Sequence, residues 1–484
     1  MKTAACICFL LLGSFLGAQD FWFGELEDGA GNPGFKTGGE LTAGLLIFPG
    51  ELHDKGGAVD WGSLVSGKLN FDASAANAEA VLHFNLSPRS IRSLAETSGD
   101  LFQTPMIIDE LYLRAFLGPL TLETGLRKLA WGRADIQGPL DVTNPLDYTD
   151  LTNAGDTMGR KIARPMIHAS LPLGSFSKLE GVFIPGFQGH RYSLDQEDPW
   201  YPRAITDNRR DSMIDALAGE LALFDPTGAV ASNIKSNAAD MKLTEADLQT
   251  PGLEYAQGGL RFTTTLGPAD LGAQYYSGCL FRPSFTLKNV DNLINDLLGY
   301  FSGSPLQMPV PVPLLKYNRY HQIGVDWGQV LFGFSFRAEL AANITEDLAG
   351  DDGTVYNPSL AWSAGFDRDL FGFTLFVEAD ESIRLLNGGV GSNAALDTEA
   401  GIPLTATALT AQVSRTLLQD NLELKFGLLW NVETGDLYLM PSVSYLMGDL
   451  KAVLSGGIFT GKDGGELSQY RNSGYIKTAL TYSF

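Results

Sequence analysis

The chain has 484 residues, a hydrophobic content of 44%, a formal net charge of -22 and a mean hydropathy of +0.01. The acidic balance disfavours nucleic acid as a partner, because phosphate binding needs a basic face. Beyond the first residues no apolar run reaches about 18 residues, which disfavours a helical membrane protein.

The amino-terminal segment has the pattern of a cleaved secretory signal. Lys2 supplies a positive charge, Cys6–Leu16 is apolar, and small residues follow. A run of this length is too short for a membrane span. We therefore expect residues 1–18 to be a signal peptide and residues 19–34 to form a periplasmic tether or a short plug. A mature chain would then keep only Cys279, so no disulfide framework is possible.

The rest of the chain, 35–484, alternates polar and apolar residues with period two, as half-buried strands do. Most of these segments are near the roughly 9–11 residues that a tilted membrane strand needs. They predict about 18 strands: 35–48, 62–75, 77–86, 106–117, 120–131, 162–172, 175–186, 253–266, 268–281, 317–327, 330–343, 357–367, 371–383, 403–415, 421–432, 437–447, 450–460 and 472–484.

Short turns and long loops alternate between these strands, as at the periplasmic and extracellular ends of outer-membrane barrels. The predicted tight turns are Gly118-Pro119, Leu173-Gly174, Gly267-Pro268, Gly328-Gln329 and Gly448-Asp449. The long segments include helical patterns near 208–224 and 290–301. The fold class is therefore all-β, an antiparallel up-and-down transmembrane β-barrel with short helices in long extracellular loops. Because the connection 433–436 is short, 16 or 14 strands are alternatives, and a soluble sandwich could show some of the same patterns.

The last strand supports the barrel. Ile476, Leu480, Tyr482 and Phe484 share one face, while Lys477 lies on the other. This strand resembles the carboxyl-terminal signature of bacterial outer-membrane β-barrels. The resemblance implies an outer-membrane location and recognition of the strand by the barrel assembly machinery.

The registers of the hairpins test independently which side chains lie on the inner face of the barrel. Pairing across Gly118-Pro119 sets Arg114 opposite Glu123 and Glu110 opposite Arg127, with apolar partners on the other face. Such cross-strand charge pairs contribute roughly 0.2–1 kcal/mol each. Charged residues on the inner face could create a transverse field in a pore, or could form salt bridges that fill and stiffen the interior. The candidate lumen charges are Glu110, Arg114, Glu123, Arg127, Arg261, Arg337, Glu339, Glu423 and Lys425.

The segment Asp109–Asp147 carries a more specific resemblance. Its hairpin ends in WGRAD (131–135), and DVTNPLD (141–147) follows. This segment resembles a group of Gram-negative outer-membrane barrels of unassigned function, similar to porins and hydrophobic-compound channels. The resemblance implies a channel in which this loop folds inward and narrows the pore. The candidate constriction residues are Trp131, Arg133, Asp135, Asp141, Asn144 and Asp147. Turn chemistry alone would also account for the Asp, Asn and Pro residues.

We expect an outer-membrane channel that passes small solutes by porin-like diffusion or uptake. The amphipathic loop helices favour an alternative, a hydrophobic-compound transporter of the fatty-acid channel (FadL-like) type. A structural or adhesive barrel that binds a partner through its loops is a further alternative. The expected partners are outer-membrane lipid and a small solute or hydrophobic ligand. No Gly-x-Ser-x-Gly elbow occurs and the five histidines lack a metal or nucleophile context, so we expect no enzyme, cofactor or metal.

Overall fold

Eighteen strands form one closed antiparallel β-barrel. The computed structural model describes residues 34–50, 60–96, 104–136, 138–193, 195–203, 255–288, 312–391, 397–462 and 465–484, with isolated positions between 211 and 302. The expected signal peptide, the tether up to residue 33 and most of both predicted loop helices lie outside the described residues. Within the described residues, no helix is both long and apolar enough to cross a membrane.

The described strands number 21, and three of them stand apart from the barrel. In chain order they are β1 Gly34–Phe48, β2 Asp60–Ala75, β3 Ala78–Leu86, β4 Ile108–Leu117, β5 Leu120–Arg127, β6 Arg164–Leu173, β7 Ser177–Ile184, β8 Thr244–Glu245, β9 Gln257–Leu266, β10 Ala269–Cys279, β11 Ser284–Lys288, β12 Val312–Lys316, β13 Arg319–Leu331, β14 Phe334–Thr345, β15 Ser359–Leu370, β16 Phe373–Arg384, β17 Thr405–Leu417, β18 Leu422–Asn431, β19 Asp436–Met447, β20 Leu450–Thr460 and β21 Tyr475–Ser483.

Barrel strands pair with their neighbours in sequence, and β1 closes the ring by pairing with both β2 and β21. The prediction of 18 barrel strands is therefore confirmed. The sequence did not predict the small sheet of β8, β11 and β12. Short helices lie in the connections: α1 Pro88–Glu96, α2 Thr157–Arg160 and a 3₁₀ helix Ser468–Ser473.

The two faces of the barrel differ as the alternation predicts. On the hairpin of β4 and β5, Leu113 is 59% exposed whereas Glu123 is 3% exposed. Large apolar side chains are exposed on the outer face of every part of the barrel wall, while the inner face carries charged and amide side chains. Exposed apolar bands of this extent are normally covered by lipid.

The predicted hairpin registers are confirmed at Arg114 with Glu123, at Phe262 with Ala273 and at Val443 with Leu454. The turn predicted at Gly328-Gln329 is wrong. There β13 continues to Leu331, and the chain reverses at Phe332-Gly333. The ladder with β14 continues to Leu331, and glycine at 333 supplies a positive φ that the tight turn requires.

Apolar clusters lie inside the barrel, between its wall and the connections that enter it. One contains Trp131, Val142, Met166, Tyr276 and Tyr320 with their neighbours. A second groups Trp200 with aromatic side chains of β19, β20 and β21. These clusters fix inserted segments against the wall, so the interior is partly filled by protein.

Candidate pore constriction

The connection between β5 and β6, residues 128–163, folds into the barrel, and we call it the inward loop. Its tip reaches the inner face of β14. There the Glu339 carboxylate accepts backbone hydrogen bonds from Arg133, from Ala134 at 2.7 Å and from Leu140 at 3.1 Å. From β5 the ring order runs β6, β7, β9, β10, β13, β14, which makes six steps around an 18-strand ring. The loop therefore crosses the interior.

A second wall carboxylate holds the same tip. Glu378 on β16 is fully buried and accepts hydrogen bonds from the backbone of Asp135 at 2.9 Å and of Ile136 at 3.2 Å. Successive backbone N–H groups in a tight turn form a concave anion site. In this barrel the anions come from the wall, so two glutamates fix the position of the loop tip.

Amide side chains complete the attachment. Gln322 on β13 donates to the carbonyl of Pro139 at 2.9 Å, and Gln274 on β10 donates to the carbonyl of Leu140 at 2.9 Å. Gly324, also on β13, leaves space for Leu140, since a Cβ at this position would overlap the leucine side chain. The inward loop is thus hydrogen-bonded through both its donors and its acceptors.

The return arm of the inward loop reaches a different part of the wall. Tyr438 on β19 donates to the carbonyl of Leu151 at 3.0 Å, and Tyr475 on β21 donates to that of Thr152 at 3.2 Å. Lys477 donates to the Asn153 side chain at 2.9 Å. The loop is therefore attached to β14 and β16 on one side and to β19 and β21 on another.

Two of the predicted constriction residues lie where the loop meets the wall. Arg133 pairs with Asp326 over 2.6 Å, and Asp135 accepts from Arg337 over 2.6 Å. Their side chains are 24% and 38% exposed, respectively. Burial raises the pKa of Asp135, and the hydrogen bond and charge of Arg337 oppose this shift. Both of these charged side chains therefore remain partly exposed.

Two other candidates, Trp131 and Asp141, are largely buried and support the loop instead of lining an opening. Trp131 packs edge-to-face on Tyr276 within the apolar cluster at the wall. Asp141 forms an ion pair of 2.6 Å with Lys161, and burial raises the pKa of Asp141 while the lysine opposes the shift. A role in contacting solute stays a prediction for these residues, and their surroundings favour a structural role.

Asn144 ties the two ends of the inward loop together. Its Nδ2 donates to the carbonyls of Arg127 and Ile162, both at 2.9 Å, and its Oδ1 accepts from the backbone of Leu129 at 2.8 Å. Asp147 acts locally, because it pairs with Arg191 over 2.9 Å and accepts from Thr149. The turn chemistry that the sequence offered as an alternative describes Asp147, which accepts from the backbone and hydroxyl of Thr149, whereas the bonds of Asn144 reach residues distant in sequence.

The wall charges form a network beside the loop. Arg114 bridges Glu79 and Glu123 at 2.6 and 2.7 Å, and His168 contacts the other oxygen of Glu123 at 2.6 Å. Arg127 also contacts Glu123. These paired charges agree with one of the two interpretations of the inner-face charges, in which salt bridges fill and stiffen the interior.

The predicted pair of Glu110 with Arg127 is wrong. The ladder of β4 and β5 ends at Leu111 with Leu126. Past that point the chain turns into the inward loop, and Glu110 instead accepts from the backbone of Lys128 at 2.9 Å. Loss of pairing at the strand end explains why the register argument fails there.

The remaining predicted lumen charges all lie on the inner face. Arg261 donates to Gln274 at 2.7 Å and to Asp326 at 2.6 Å. Glu423 and Lys425 are half-buried on β18, and Glu423 accepts from Ser444 at 3.3 Å. Among the residues described, no group of His, Cys, Asp or Glu could hold a metal ion.

The sequence did not single out Asp326 or Gln322 as functional residues. Both lie on the inner face of β13, where period-two alternation could have placed them. Their importance comes from contact with a loop that is distant in sequence, which alternation does not reveal.

No protein-family model matches this chain. No curated protein matches it either. Among solved structures, similar ones include a porin, with 10% identity and a TM-score of 0.39, OccAB3 of Acinetobacter baumannii, with 12% and 0.43, and OpdQ of Pseudomonas aeruginosa, with 8% and 0.45. Each match covers 93% of this chain and 98 to 100% of the other chain. The function of this chain therefore has to be inferred from its own side chains.

Proposed function

We propose that the chain is an outer-membrane channel for small solutes and that the inward loop narrows its lumen. The closed wall is apolar outside and charged inside, which suits a barrel that has lipid around it and water within. A ring of 18 strands is wide enough for an aqueous path unless protein fills it. The signal pattern at residues 1–18 supports export of the chain to that membrane.

The observation that carries the proposal is the attachment of the loop tip to Glu339 and Glu378. A loop that only covered the barrel mouth would not reach inner-face carboxylates on β14 and β16. The path left for solutes would then pass the exposed edges of Arg133, Asp135 and Arg337. Fixed charges in a narrow, poorly screened section dominate ion selection.

Planar-bilayer recording tests this proposal. The refolded wild-type protein should give discrete single-channel steps, and a variant lacking residues 134–140 should give larger ones, because the section beside β14 widens. Heat-modifiable gel migration should show that both proteins keep the barrel. Absence of steps in both proteins would refute the channel. Equal conductance would place the narrowest section elsewhere and refute the role of the loop.

Cysteine labelling tests which side chains of the wall face the lumen and which face lipid. Arg114→Cys should react with a water-soluble maleimide, whereas Leu113→Cys should be protected in lipid vesicles. The native Cys279 is buried and provides a low background. Equal labelling at both positions would contradict membrane insertion.

A further inference from the structure

Charged side chains are rare on the outer face of the barrel. Within the described strands, alternation assigns Arg319 and Glu381 to this face near the long loops, and Arg368 and Arg415 near the short turns. Arg368 shares the face of Phe366, and Arg415 shares that of the half-buried Val413. The two short-turn arginines therefore lie at the periplasmic border of the apolar band.

Both arginines lie over aromatic rings. The guanidinium carbon of Arg368 lies 4.3 Å from the ring centroid of Phe334, and that of Arg415 lies 4.8 Å from the centroid of Phe373. Arg368 also donates to the carbonyl of Phe332 at 3.0 Å. A guanidinium that lies over an aromatic ring still has N–H groups that can donate hydrogen bonds to an anion.

The two arginines flank one strand. Arg368 on β15 is paired with Leu375 on β16, which is paired with Val413 on β17. Two strand spacings of about 4.8 Å separate β15 from β17. The surface between them is apolar, with Leu375 and Phe373. An acyl chain fits this surface, while the arginines border it at headgroup level.

Nearby acids do not neutralise these arginines. Asp367 faces the interior and binds Arg337, and Asp369 accepts from Thr374 at 2.6 Å. Neither Arg368 nor Arg415 forms an ion pair within the described part of the chain. The chain has a net charge of -22, but these two arginines make this part of its surface positive. A positive surface attracts an anion.

We propose that Arg368 and Arg415 bind the phosphate headgroup of an anionic phospholipid in the periplasmic leaflet. The acyl chains would lie along β15, β16 and β17. Each arginine near a membrane surface contributes a modest attraction to anionic lipid, about fivefold in affinity. The proposal rests on membrane insertion, a part of the proposed function, but not on the passage of solutes.

Native mass spectrometry of the detergent-purified full-length protein tests it. The wild type, mixed with phosphatidylglycerol or with phosphatidylcholine of the same chains, should retain the anionic lipid preferentially. Arg368→Gln and Arg415→Gln should each weaken retention about fivefold, and the double variant about 25-fold. Arg319→Gln, which removes an outward arginine at the opposite edge, is the matched control and should behave as the wild type.

Three outcomes would overturn the proposal. Equal retention of both lipids by the wild type would mean that there is no headgroup site. Unchanged retention in the double variant would place the lipid elsewhere. Displacement of the lipid by millimolar inorganic phosphate would indicate a site for free anions. Unchanged channel conductance in the double variant would separate this site from the pore, and heat-modifiable migration would show that the variants are folded.

Discussion

Arg337 on β14 donates a hydrogen bond of 2.6 Å to Asp135 at the tip of the inward loop, and it also binds Asp367. One cation is therefore shared by two carboxylates at the proposed narrow section. Of these three groups only Arg337 is positive, so its removal leaves two carboxylates without their counter-charge. The ion selectivity of the channel should therefore change when Arg337 is replaced.

Arg337→Gln should shift the channel toward cations. It leaves Asp135 and Asp367 without their shared counter-charge. A unit charge about 5 Å from a passing ion contributes about 0.8 kcal/mol in water, which is roughly a fourfold change in permeability ratio. Reversal potentials in a salt gradient measure it. Arg368→Gln, on the outer face of the next strand, is the matched control and should leave the potential unchanged.

Asp141→Asn should have little effect on ion selectivity, although the sequence places Asp141 among the constriction candidates. Its carboxylate is buried against Lys161 and not presented to a solute path. The substitution should instead destabilise the inward loop, because it leaves a buried ammonium without its charged partner. Limited proteolysis of the loop measures this. A large change in reversal potential without increased cleavage would contradict the structural role.

Glu339→Gln should loosen the loop tip. The carboxylate accepts backbone hydrogen bonds from three loop residues, and hydrogen bonds to a charged group contribute roughly 1.5–3 kcal/mol each. An amide cannot accept through its nitrogen, so we expect docking to weaken by about 3 kcal/mol. Single-channel traces should become noisier and reach larger steps. Glu423→Gln, a half-buried glutamate on β18, should leave traces unchanged, and equal noise in both variants would contradict the assignment.

Acid should release the return arm of the inward loop through His190. Burial and, to a lesser extent, the charge of Arg160 together lower the pKa of His190 to about 3. The neutral ring accepts a hydrogen bond from the backbone of Leu146 at 2.9 Å and packs on Tyr148. Because the unfolded chain binds this proton near pH 6.5, the stabilising contribution is present above that pH and is lost as pH falls toward 3.

At pH 5 the loss should be about 2 kcal/mol. Proteolysis of the loop, measured between pH 7 and pH 4, should increase over this window. His190→Gln should flatten the profile, since it removes the titrating group. An unchanged profile in this variant would assign the acid sensitivity to other residues.

The barrel could be predicted from the sequence because each strand carries its own local signal. Alternation placed all 18 barrel strands, and Gly-Pro pairs located turns at 118–119 and 267–268. The turn at Phe332-Gly333 was missed, since phenylalanine is not a favoured turn residue. The small sheet of β8, β11 and β12 pairs segments too short to show a period.

The candidate site could be predicted only in part. The resemblance in the segment Asp109–Asp147 identified the inward loop and implied its inward path. Its anchors could not be found in the same way, because Ala134 and Glu339 are 205 residues apart in sequence. Alternation places Glu339 on the inner face but does not identify which inner-face acid meets a loop.

Asparagine at the two Phe-Gly turns should stabilise the barrel. Phe332 and Phe371 have φ values of 54° and 53°, each is followed by a glycine with positive φ, and their side chains are 92% and 95% exposed. Left-handed backbone is strained for a bulky residue, whereas Asn-Gly is the favoured pair for such two-residue turns. Phe332→Asn and Phe371→Asn should each raise the free energy of unfolding by about 1 kcal/mol in detergent.

Urea unfolding followed by tryptophan fluorescence measures these changes. Phe373→Asn is the matched control, because it replaces an outward phenylalanine within β16, where the backbone is extended and Arg415 stacks on the ring. That variant should destabilise the barrel. If Phe332→Asn and Phe371→Asn also destabilise it, the exposed rings must make a stabilising contact that outweighs the backbone strain, and the turns would then be retained for that contact.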